Sequence, residues 1–119
     1  MRKLFLAAAL ILTLAACATQ PESPAQTVYA TQTAYAAALS LAVQYKSLPV
    51  CGATGVVVCS NPEVVKQILQ ADDTAYVALQ AAQVAVRNPA TGTTAEKAIA
   101  YANQAVGAFT AIVSSLTLK

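Results

Sequence analysis

From Ala95 to Leu116 the apolar residues return at alternating steps of three and four. Ala95, Ala98, Ala102, Ala105, Phe109, Ile112 and Leu116 make the series, and Ile99, Val106 and Val113 lie beside it. Steps averaging about 3.5 residues keep one apolar stripe on one face of a helix, whereas a strand repeats every two. Lys97, Gln104, Gly107 and Ser114 fall opposite, with Glu96, Asn103 and Thr110 as a polar flank. Such a stripe is stable when other elements cover it, so this segment calls for helical neighbours.

Two neighbours can be read upstream. In the first, Gln26, Thr33, Ser40, Gln44 and Ser47 share a polar stripe, while Val28, Tyr35, Leu39 and Ala42 turn the other way. Pro49 and a cysteine-flanked loop end it. The second opens at "SNPE", where Ser60 and Glu63 have capping-box spacing and Asn61 before Pro62 offers an alternative cap. Its inner face carries Val64, Ile68, Ala71, Ala75, Leu79, Ala82 and Val86, and Asn88-Pro89 stops it. After "NPATGT", Thr93 and Glu96 form a further capping box for the third. The spacing predicts helices over about 27–46, 61–87 and 94–117, arranged as an all-α, up-down-up three-helix bundle spanning 27–119.

Many of these inner positions are alanine, which lets helix axes approach to about 8 Å. Each alanine buries little area. Tyr35, Leu39, Ile68, Leu79, Ile99, Phe109 and Ile112 must therefore carry most of the hydrophobic stabilisation.

The beginning of the chain obeys a different logic. Arg2 and Lys3 precede an uncharged run from Leu4 to Ala16, a basic and then apolar pattern of signal-peptide length. A transmembrane helix needs about 20 apolar residues, and Gln20, Pro21 and Glu22 cut this run short. Leu14-Ala15-Ala16-Cys17 resembles the lipobox of bacterial lipoproteins. That resemblance implies removal of residues 1–16 and attachment of diacylglycerol to the Cys17 thiol, with a further acyl chain such as palmitate on its amine. Residues 17–26, with Pro21 and Pro24, then read as a lipidated cysteine and a tether spanning at most about 30 Å. Ala18 is not aspartate, which resembles the outer-membrane-directed class and implies a bundle facing the periplasm.

Processing changes the charge. Seven basic residues against five acidic become five against five once Arg2 and Lys3 leave. A neutral mature chain gives no basic patch for nucleic acid, so attachment to a membrane is expected through acyl chains alone. In an oxidising compartment Cys51 and Cys59, bracketing "GATGVVV", read as a disulfide. Closing about nine residues contributes roughly 2–3 kcal/mol on the chain-entropy estimate. A metal site would lack partners, since the sequence has no histidine, and the spacing is not the Cys-x-x-Cys of redox-active pairs.

Groups for catalysis are scarce. Without histidine the usual general base near neutral pH is missing. Asp72 and Asp73 are adjacent, hence about 100° apart on a helix, and read as a solvated flank. "GATGVVV" lacks the lysine of a phosphate loop. The five tyrosines read as rim or core residues with surface hydroxyls. No enzyme, cofactor or metal is expected.

One feature exceeds what a lone bundle needs. Leu69, Tyr76, Val77 and Val84 lie away from the Ile68–Leu79 face, either because a central helix needs a wide apolar surface or because they form a seam for a partner protein or second copy. The expected role is a non-catalytic structural or binding lipoprotein. An alternative is a peptidoglycan tether through Lys119, since a terminal lysine resembles that of murein lipoprotein, although Leu118 stands where that family has arginine. Size and architecture also resemble phage-type accessory lipoproteins of lysis or superinfection exclusion.

Overall fold

Ser23 opens the first helix. Its hydroxyl accepts a hydrogen bond from the Gln26 N–H at 3.3 Å, and its own N–H donates to the Gln26 side-chain carbonyl at 2.9 Å. This is a complete capping box, and Pro24 occupies the first helical position, where its missing N–H costs nothing. Helix α1 therefore spans Pro24–Lys46, and Pro24, Ala25 and Gln26, expected in the tether, are its first turn. The computed structural model describes residues 23–52, 58–88 and 92–117, together with the backbone but not the side chains of 92, 93 and 117. The signal run, Cys17, the remainder of the tether and Lys119 lie outside the described residues.

Helix α2 runs from Pro62 to Arg87 and α3 from Gly92 to Thr117. Of the two caps offered for α2, Asn61 is the one used: its side-chain oxygen accepts from the Glu63 N–H at 2.9 Å. Ser60 is buried and donates instead to the Leu48 carbonyl at 3.0 Å. Thr93 lies inside α3 rather than ahead of it. The chain runs up α1, down α2 and up α3. Each helix packs on both others, and α2 with α3 forms the largest of the three interfaces. No strand occurs among the described residues.

The core follows from the apolar spacing. Val28, Ala38 and Ala42 of α1 meet Ile68, Ala75, Leu79 and Ala82 of α2 and Ala102, Ala105, Val106, Phe109 and Val113 of α3. Phe109 is fully buried, and its ring stands 5.6 Å from that of Tyr35 at a tilt of 43°. Around this cluster Tyr35, Leu39, Ile99, Ile112 and Leu116 are half-buried. Thr31, unexpected in the core, is buried there; its hydroxyl donates to the Thr27 carbonyl at 2.8 Å and meets the Asn103 side-chain amide of α3. A hydroxyl that satisfies its own helix can be buried at low cost.

Candidate interaction surface

Three features stand out from the plain packing of the bundle. The first is the junction between α1 and α2. Ser47 caps α1, and the chain then turns so that Val50 and Ser60 form a single parallel bridge. The Ser60 N–H donates to the Pro49 carbonyl at 2.8 Å and the Cys51 N–H donates to the Ser60 carbonyl at 3.0 Å. Cys51 and Cys59 stand at disulfide distance, 2.02 Å between sulfurs. Gly52 follows at φ 108°, a conformation L side chains rarely adopt, so glycine is required at this turn. The Tyr45 hydroxyl accepts from the Asn61 N–H at 2.9 Å and so ties the last turn of α1 to the start of α2. Together these bonds clip the two helices at the end remote from Ser23. Val50 and Val58 are exposed on the clip.

A second feature is the pair Tyr35 and Asp72. The Tyr35 hydroxyl donates to Asp72 Oδ1 at 2.6 Å, bridging α1 and α2 beside Phe109. Only Asp73 of the adjacent carboxylates is a solvated flank; Asp72 is half-buried. Burial, and then the hydrogen bond to the Asp72 carboxylate, push the Tyr35 phenol well above its ordinary value. The folded phenol holds its proton more tightly than the unfolded one. Its contribution to stability is present below about pH 10, where an unfolded tyrosine is neutral, and is lost as pH rises beyond that. Tyr35→Phe should cost about 1–2 kcal/mol at neutral pH, by leaving the carboxylate short of a donor. It should also remove part of the alkaline fall in stability. Denaturant midpoints at neutral and alkaline pH check this, and parallel pH slopes for the two proteins would contradict it.

The outward surface of α2 is the third. Leu69, Tyr76, Val77 and Val84 are 47%, 51%, 57% and 58% exposed. About half of each side chain therefore stays outside the packing against α1 and α3. Val77, Ala81, Val84 and Ala85 also form one wall of a shallow groove whose other wall is Thr94 and Ala98 of α3. Among the described residues no group of three or more His, Cys, Asp or Glu side chains could hold a metal ion.

Residues 94–116 of α3 are long and apolar enough to cross a membrane by length and composition, a test that core helices of soluble bundles also pass. Here Ala102, Ala105, Val106, Phe109 and Val113 are spent on the bundle core. No protein-family model, curated protein or solved structure matches the chain.

Proposed function

We propose that this chain is a bacterial envelope lipoprotein, anchored by acyl chains on Cys17, whose helical bundle has a structural or binding role and no catalytic one. The observation that carries this reading is Leu14-Ala15-Ala16-Cys17 at the end of an uncharged run that follows Arg2 and Lys3. A cysteine pair at bonding distance suits the oxidising periplasm that such processing implies. The absence of histidine from the sequence and the engagement of Asp72 by Tyr35 favour a non-catalytic role. Ala18 after the cysteine favours the inner face of the outer membrane.

Replacing the anchor residue tests the proposal. Cys17→Ser should abolish incorporation of radiolabelled palmitate and leave the chain as an uncleaved precursor in the inner membrane. Palmitate labelling of the variant at the level of the parent would refute the lipobox reading.

A further inference from the structure

The outward face of α2 has an internal order that chance exposure does not explain. At 100° per residue Asp73, Val77, Gln80, Val84 and Arg87 fall within an arc of about 80°, and the fully buried Ala75 and Ala82 lie about 180° away. All five are exposed. Their spacing of four, three, four and three is that of a helix-pairing seam.

The residues are also arranged about a centre. Counting from Gln80, an acid stands seven residues before and a base seven residues after; valines stand three before and four after. An antiparallel copy of the same face, related by a two-fold axis at Gln80, sets Asp73 against the second copy's Arg87 twice over. It also places Val77 beside the second copy's Val84, again twice. At the axis the two Gln80 amides meet, and each can donate and accept. A parallel pairing would instead oppose Asp73 to Asp73 and Arg87 to Arg87, so charge selects the antiparallel arrangement. Tyr76 borders this strip and adds aromatic area at its edge.

We propose that α2 is the interface of a homodimer, formed by antiparallel self-pairing of the face from Asp73 to Arg87 around Gln80. The strip is about 21 Å long, which makes the contact small and the dimer weak in dilute solution. Confinement to a membrane would raise its effective concentration. An antiparallel pair carries its two Pro24 ends at opposite ends, so two copies anchored in one bilayer lie with their helix axes along it. The pairing itself does not depend on the anchor.

Cross-linking at the axis is the test, with the full chain purified in a non-ionic detergent. Gln80→Cys brings two copies of one new thiol together, and mild oxidation should yield a covalent dimer. Gln104→Cys, on the exposed side of α3, should cross-link at least about tenfold more slowly. In the Gln80→Cys background, Asp73→Arg or Arg87→Asp alone should slow cross-linking about tenfold, and the two together should restore it. These positions are exposed, so an unchanged thermal melt shows that each variant is folded. Equal rates at positions 80 and 104, or no rescue by the double reversal, would overturn the dimer. So would an adduct formed in intact cells at a mass other than twice that of the chain, which would mark the face as a site for a different protein.

Discussion

Phe109→Ala should destabilise the bundle by about 3–5 kcal/mol, the largest effect expected of any single core substitution here. Phe109 is the bulkiest fully buried side chain, and the buried cluster it belongs to is mostly alanine, whose side chains cannot swing in to fill the space it leaves. The ring also supports Tyr35, whose hydroxyl bridges to Asp72, so the loss spreads to the α1–α2 contact. For a domain of this size, total stability is about 5–15 kcal/mol, and each kcal/mol moves Tm by about 4–8 °C. A fall in Tm of at least about 12 °C follows. Phe109→Leu, which keeps most of the volume, should cost less than about 1.5 kcal/mol. Circular dichroism melts of the two variants decide the matter: equal, small losses would show that Phe109 is not the anchor of the core.

Second in size is the clip. Replacing Cys51 and Cys59 together by alanine should cost about 2–3 kcal/mol, because the unfolded chain regains the freedom of a closed loop. That corresponds to a fall in Tm of about 8–24 °C. Reduction of the parent protein should produce the same fall, while reductant should leave the double variant unchanged. Identical melting of oxidised and reduced parent would mean that Ser60, Tyr45 and the Val50–Ser60 bridge hold the junction unaided.

The helical pattern was legible because burial in a bundle obeys the same period that the sequence displays. Every inner position read on α2 is buried or half-buried, from Val64 to Val86, and the same holds on α3 from Ala95 to Leu116. What escaped were polar groups whose partners are remote in sequence. Ser60 has the right spacing for a capping box with Glu63, but the Leu48 carbonyl, brought close by the turn, takes its hydroxyl and leaves the cap to Asn61. Thr31 reads as an ordinary polar residue until Asn103 arrives from α3. The start of α1 was missed for a local reason. Pro24 reads as punctuation of a tether, although proline is at home at the first position of a helix and Ser23 with Gln26 completes the box. On α2 the exposed apolar surface was legible as an excess of apolar residues away from the core face. Its occupant depends on a charge order about Gln80 that hydrophobic periodicity alone does not reveal.

The buried alanines carry a last consequence, for how this sequence can change over time. Ala75 and Ala82 are 0% exposed, and Ala78 and Ala102 nearly so. Each belongs to the core that the three helices share, so one added methylene must push a neighbour aside. A leucine can drift to isoleucine or methionine at modest cost, but these positions have no larger substitute. An alanine-rich chain of this kind looks permissive and repetitive, yet its smallest side chains fix the depth to which each helix sinks into the next. Descendants of this protein would be expected to vary freely at Tyr29, Val43 or Tyr101, which face outward. They should keep the alanines.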